Sequence, residues 1–188
     1  MENKEQNGIL YVISGPSGVG KGSVIKEILS QDKDLVLSIS VTTRKPRDGE
    51  VNGKDYCFVS KKDFKNKIRN NEFLEWAEVH GQLYGTLKEF VEKHLNNKKK
   101  IILEIDINGA NQVIKTNYPK KTIFITPPSE EELIRRLRER NTDTEGSIDK
   151  RLTQAKNEMR EKEKYDYIIE NKEIKNCAKK ILDIIKIN

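Results

Sequence analysis

Cysteine is nearly missing from this sequence. Cys57 and Cys177 are too few and too far apart for a disulfide framework or a zinc site, so a reducing compartment, the cytoplasm, is the expectation. Long apolar runs are missing as well. No stretch of about 18 apolar residues occurs, and the opening MENKEQNG is polar, so neither a membrane span nor a secretory signal is expected. Aromatic residues make up 6% of the chain and are nowhere interleaved with a block of basic ones, which leaves nucleic-acid binding without support. The formal charge of +6 arises from 36 Lys and Arg scattered among 30 Asp and Glu. Such a balance suits small anions such as nucleotides, while lysine-rich stretches like NNKKK (96–100) read as solvated surface. Internal repeats and low-complexity linkers are absent too, and 188 residues suffice for one domain with a real core.

What is present is an alternation. ILYVIS (9–14) is short, apolar and β-branched, and reads as a strand buried on both faces. After a glycine loop, Val24, Ile25, Ile28 and Leu29 recur at helical spacing. IILEID (101–106) and KTIFIT (121–126) read as further buried strands, the first followed by a helix through Val113. Ser129, with Glu132 three residues on, predicts a capping box opening a helix that carries Leu133, Ile134 and Leu137 inward. YDYIIE (165–170) precedes a closing helix whose Ile174, Cys177, Ala178, Ile181, Leu182 and Ile185 form one stripe. Strands alternating with amphipathic helices predict an α/β fold with a parallel sheet. Residues 38–91 break this rhythm with short polar pieces and a helix from Ser60, which predicts a mixed α+β insertion with antiparallel strands. Residues 136–159 are highly charged and interrupted at NTDTEGS, which predicts a helical hairpin.

Three constellations carry chemistry. GPSGVGKGS (15–23) is a phosphate-binding loop with one departure: Gly15, Gly20 and Lys21 fall in place, but Gly22 stands where a hydroxyl residue is usual, and Ser23 comes one position late. Its backbone N–H groups, the following helix N-terminus and the Lys21 charge would converge on phosphate, although a plain glycine turn remains the simpler alternative. Arg44, Arg47 and Tyr56, in SISVTTRKPRDGEVNGKDY (38–56), offer two guanidiniums and a phenol to a second phosphate; a polar hairpin turning at VNGKD (51–55) accounts for the same composition. Glu104 and Asp106 end a buried strand on one face, a costly pairing without a partner such as magnesium. His80 and His94 match no catalytic position.

Taken in order, GPSGVGKGS (15–23), SVTTRKPRDGEVNGKDY (40–56), EFLEWAEVHGQLYGT (72–86), ILEIDINGA (102–110), TPPSEEELIRRLRERNTDTEGSIDKRL (126–152) and the Ile-Ile-Glu-Asn of 168–171 make the chain resemble a guanylate kinase from end to end. The resemblance implies a P-loop core of approximately 1–37, 92–135 and 160–188, a GMP-binding subdomain of 38–91 and a lid of 136–159. It implies that ATP binds Gly15, Pro16, Ser17, Gly18, Val19, Gly20, Lys21, Gly22 and Ser23, with Asn171 near the adenine. GMP's phosphate falls to Arg44, Arg47, Tyr56 and Tyr84, and its base to Glu75, Ser40 and Thr86, with Asp106 beside the nucleotide. Lys21, Arg44, Arg136, Arg140 and Arg151 become the residues that neutralise the transferring phosphoryl group. Asp106 and Glu104 become outer-shell partners of Mg2+, Glu104 standing where Asp is common and Asn141 where Gly is usual. The implied reaction is ATP + GMP = ADP + GDP, in cytoplasmic purine metabolism, with small nucleotides as partners and neither nucleic acid nor membrane. A non-catalytic binding module of the same fold, or a kinase for another nucleoside monophosphate, are the alternatives. Without the resemblance, Glu75 passes for a surface residue beside Trp76 in an alternating strand.

Overall fold

The computed structural model describes residues 8–139 and 145–187, without the side chains of 145–150. β1 (Ile9–Ser14) enters α1 (Lys21–Gln31) through the glycine loop. β2 (Val36–Leu37), β3 (Val41–Thr42), β4 (Cys57–Phe58), α2 (Lys61–Arg69), β5 (Phe73–Val79), β6 (Gln82–Leu87) and α3 (Lys88–Asn96) follow. Then come β7 (Lys100–Glu104), α4 (Ile107–Ile114), β8 (Lys120–Thr126), α5 (Glu130–Glu139), α6 (Glu145–Met159), a 3-10 turn over Arg160–Lys164, β9 (Tyr167–Glu170) and α7 (Ile174–Lys186). A five-stranded sheet has the order β2-β7-β1-β8-β9 and a four-stranded sheet the order β4-β3-β6-β5. The fold is α/β, with parallel pairing of β2 with β7 and of β8 with β9.

The chain divides into two compact units. One takes the chain up to Leu10, with Asp34–Leu103 and Asn108–Pro119. It contains the four-stranded sheet, whose core is Val41, Phe64 and Phe73, with Cys57, Val59, Ile68, Leu83 and Leu87 packed against them. The Phe64 and Phe73 rings stack at 4.4 Å. The helix expected from Ser60 is α2, and the Ser60 Oγ accepts from the Asp63 N–H at 3.1 Å, a side-chain cap. The expected antiparallel pairing holds for β5–β6 and β3–β6, but β3 pairs with β4 in parallel. The long connection over 43–56 carries the chain back to the start of β3's level, which a tight hairpin could not do.

The other unit takes Tyr11–Lys33, Glu104–Ile107 and the chain from Lys120 on. Within it, β1 is buried on both faces over Tyr11, Val12, Ile13 and Ser14, as its unbroken apolar run requires. The closing stripe on α7 is buried at Cys177, Ala178, Ile181, Leu182 and Ile185, and burial pushes the Cys177 thiol up to about 11. Ile174, at the first turn of α7, is exposed instead. Leu133, Leu137 and Ala155 join α5 to α6, with Leu152 against them. The capping box at Ser129 is half made. The Glu132 N–H donates to Ser129 Oγ at 3.2 Å, but the Glu132 carboxylate is drawn away to Arg135 and Arg136. Two strand boundaries differ from expectation. β9 begins at Tyr167 rather than Tyr165, and β7 ends at Glu104, so Asp106 stands in the turn before α4 and shares no strand face with Glu104.

Candidate functional site

The glycine loop is folded tightly because its residues permit it. Gly18 and Gly20 have φ of 86° and 95°, a region side chains avoid. A Cβ on Gly18 would come within 2.7 Å of Leu137 on α5, and one on Gly20 within 2.8 Å of the Asn171 amide. The Lys21 ammonium donates to the carbonyls of Gly15 (2.6 Å) and Pro16 (3.4 Å) and so lies back along the loop. Asn171 and Arg136 meet on the same loop carbonyl. Asn171 Nδ2 donates to Val19 O at 2.8 Å, Arg136 Nη1 donates to Val19 O at 3.2 Å, and Arg136 Nη2 donates to Asn171 O at 3.0 Å. Glu132 accepts from Arg136 Nε at 2.7 Å and fixes the direction of the guanidinium. Asn171 thus braces the loop backbone, and its buried Oδ1 has no hydrogen-bond partner among the described residues. Arg151 is half-buried on α6, whereas Arg140 and Asn141 lie outside the described residues.

Gly22 faces an acid. A Cβ there would sit 3.6 Å from Glu104 Oε1 and 4.0 Å from Oε2, so the Glu104 carboxylate stands at the head of α1, where the usual hydroxyl would be. Hard oxygen at the phosphate loop fits Mg2+, which is commonly held by one or two carboxylates, substrate phosphates and water. Among the described residues no group of three acidic, cysteine or histidine side chains forms a metal cage by itself. The Glu104 carboxylate therefore fits as part of a shell that a nucleotide would complete.

Glu158, on α6, is a member of this site that composition did not reveal. Its Oε1 accepts from Gln154 Nε2 at 2.8 Å, and its buried Oε2 has no hydrogen-bond partner among the described residues. Burial pushes its carboxyl up from the ordinary value, opposed by the Gln154 hydrogen bond, the Lys21 charge and the Ser17 backbone N–H and reinforced by Asp106. The available signal was its place three residues after the buried Ala155, on the same helix face. Because the folded state holds this proton more tightly than the unfolded chain, ionised Glu158 opposes folding as pH rises from the unfolded value through the folded one. Glu158→Gln is expected to raise Tm at pH 7 and to leave it nearly unchanged at pH 4 in thermal scans. A lower Tm at pH 7 would show that the charge is held by its surroundings, not tolerated.

The second cluster stands on the four-stranded sheet. Tyr84 and Thr86 are two apart on β6 and so share a face, about 7 Å apart along the strand. Across the ladder Thr86 pairs with Glu75, and Tyr84 pairs with Ala77 on β5 and Thr42 on β3. Glu75 is 3% exposed, and the Thr86 hydroxyl donates to its Oε1 at 2.6 Å. Trp76, not Glu75, is the exposed neighbour. The reading of Glu75 as a surface residue fails because Glu75 and Ala77 take the buried side of the alternation while Trp76 and Glu78 take the exposed one; at the register shift between Phe73 and Glu75, Leu74 is buried as well. Beside the pair, the Arg44 guanidinium lies 5.2 Å from the Tyr56 ring centroid, and the Tyr56 and Tyr84 rings meet edge to face at 6.1 Å.

Arg44 is aimed by a residue outside the expected set. Glu50 accepts from Arg44 Nη1 (2.9 Å) and Nη2 (2.7 Å), and also from the Arg47 N–H at 2.7 Å. The paired guanidinium, with the Arg47 N–H after it, holds the Glu50 carboxyl down at about 2, and Glu50 in turn raises Arg44. Glu50 and the Lys45 carbonyl take three N–H groups of Arg44. The Tyr84 phenol is a further hydrogen-bond partner of the same guanidinium, so Arg44 is held among Glu50, the Lys45 carbonyl and Tyr84. The Arg47 side chain is exposed, and Ser40 precedes β3 with its carbonyl accepting from the Cys57 N–H at 2.9 Å.

A family model described as guanylate kinase matches residues 7–188. A guanylate kinase of Caldanaerobacter subterraneus subsp. tengcongensis is 48% identical over 182 residues, covering 96% of this chain and 88% of its own length. That of Thermotoga maritima is 42% identical, covering 95% of this chain and 86% of its own length. The crystal structure of guanylate kinase from Anaplasma phagocytophilum superposes with a TM-score of 0.80 at 34% identity, covering 97% of this chain and 86% of that one.

Proposed function

Since the chain belongs to the guanylate kinase family, we propose that the two clusters are its two nucleotide sites. The protein is a kinase that phosphorylates GMP with ATP, giving ADP and GDP. ATP takes the glycine loop, and GMP takes the four-stranded sheet. The observation that carries this reading is the buried Glu75, held by Thr86 on the face that also bears Tyr84. Guanine presents N1–H and N2–H2 as adjacent donors, and a carboxylate presents two acceptors. Arg44, Arg47, Tyr56 and Tyr84 hold the GMP phosphate, with Ser40 and Thr86 beside the base and Asp106 beside the nucleotide. The residues divide into a P-loop core, a GMP subdomain over 38–91 and a lid over 136–159.

Phosphoryl transfer passes through a loose transition state, so positioning and charge stabilisation carry most of the rate. The GMP phosphate is already a competent nucleophile and needs no general base. Backbone N–H groups at the start of α1, Lys21 and the arginines 136, 140 and 151 stabilise charge on the transferring group. Glu104 and Asp106 would hold Mg2+ through its outer shell. The chemistry supplied by such an ion would be neutralisation of the charge that develops on the transferring phosphate. The same reading puts the enzyme in cytoplasmic purine-nucleotide metabolism. Among the described residues no helix is long and apolar enough to cross a membrane.

Isothermal titration of Arg44→Ala tests the division of sites. GMP affinity falls about a hundredfold, the loss expected of a charge-assisted phosphate contact, while Mg–ATP affinity holds. Equal loss of both ligands would contradict it.

A further inference from the structure

β5 is the edge strand of its sheet, and one side chain closes that edge at a single residue. Gln112, on α4, donates from Nε2 to Trp76 O at 2.7 Å and accepts from Trp76 N–H at Oε1, 3.2 Å away. Its Nε2 also donates to Asn108 O at 3.1 Å, which fixes the rotamer from within the helix. A carboxamide carries one donor and one acceptor side by side, as a residue of a neighbouring strand does, so Gln112 stands in for a fifth strand one residue long. The place matters. The Trp76 N–H belongs to the peptide that leaves Glu75, while on the other side of Glu75 the register shift from Phe73 disrupts the ladder. The backbone that aims the buried carboxylate is thus irregular before Glu75 and clamped immediately after it.

We propose that Gln112 is a positioning residue for base selection: by pairing with both backbone groups of Trp76 it holds the Glu75 carboxylate in the register that reads guanine. This inference rests on the assignment of Glu75 to the base and adds what fixes its aim. Gln112 touches no substrate and acts through the strand.

The test compares steady-state kinetics of Gln112→Met, which keeps length and helix preference but neither hydrogen bond, on GMP and on IMP, which lacks the 2-amino group. The expected result is a KM for GMP raised about tenfold, kcat within about twofold, an unchanged KM for ATP, and a GMP-over-IMP preference reduced about tenfold. Unchanged KM for GMP and unchanged preference would overturn the proposal, as would a fall in kcat shared by both substrates with the preference intact, the mark of mere destabilisation. If Gln112→Met does not fold, Gln112→Glu, which keeps the acceptor for the Trp76 N–H and loses the donor, is read by the same criteria. Glu75→Gln, run in parallel, separates the two levels. If it leaves the GMP-over-IMP preference unchanged, the base assignment itself fails; if it collapses the preference while the Gln112 variants do not, only the present inference fails.

Discussion

Lys21→Ala is expected to lower kcat by about three orders of magnitude, the scale of removing a preorganised charge from a phosphoryl-transfer site. Two consequences of the loop geometry combine here. The ammonium supplies the mobile positive charge of the loop, and in this structure it also satisfies the carbonyls of Gly15 and Pro16. Its loss removes transition-state stabilisation and leaves those acceptors to water. Circular dichroism and thermal scans accompany the kinetics, so that a folded but inactive protein is distinguished from a collapsed loop. Gly22→Ser is the informative contrast. Gly22 is exposed, its φ lies outside the left-handed region, and a Cβ there meets Glu104 only at ordinary contact distance. Activity should stay within about threefold of the parent, because surface changes away from packing and backbone constraints cost little. If Gly22→Ser were as damaging as Lys21→Ala, the small residue would be required for backbone approach to phosphate, and the assignment of the metal to Glu104 and Asp106 would lose its basis.

Glu75→Gln carries the second large effect, on specificity. The amide offers one acceptor and one donor where the carboxylate offers two acceptors, so guanine loses one partner and faces a clash of donors. Leaving such buried polar groups unpaired costs about 1–3 kcal/mol each. A loss of about a hundredfold in kcat/KM for GMP follows. AMP should gain relatively, because adenine N1 and the 6-amino group match an amide's donor and acceptor. Kinetics on both nucleotides check this, and an unchanged GMP-to-AMP ratio would show that another residue reads the base.

The sequence pattern and the structure agree where the cause is local. The apolar runs of β1 and β8, the glycines between β1 and α1 and the helix from Ser60 are each dictated by neighbours within a few residues, and each appears where expected. Disagreement begins where the cause lies farther along the chain. Glu75 takes the buried side of an alternation whose exposed side holds Trp76, a choice set by the sheet that β5 joins and opposite to what the polarity of the two residues suggests. The parallel pairing of β3 with β4 depends on the path of the 43–56 connection. Of the site, the loop, the arginine-tyrosine cluster and the strand-end acids were legible as residue types. Their supports were not. Glu50, Gln112 and Glu158 are polar residues in polar stretches, and only their partners distinguish them from solvated surface. Asn171 was expected at the adenine, and the structure shows the same side chain bracing Val19.

The most direct measurement is a coupled ADP-release assay with Mg–ATP and GMP, dGMP, AMP, UMP and CMP offered in turn. The account predicts that GMP has the highest kcat/KM and that AMP falls below it by two orders of magnitude or more, about what one unpaired polar contact in a buried site imposes. AMP equal to or faster than GMP, or binding of GMP without ADP release, would contradict it.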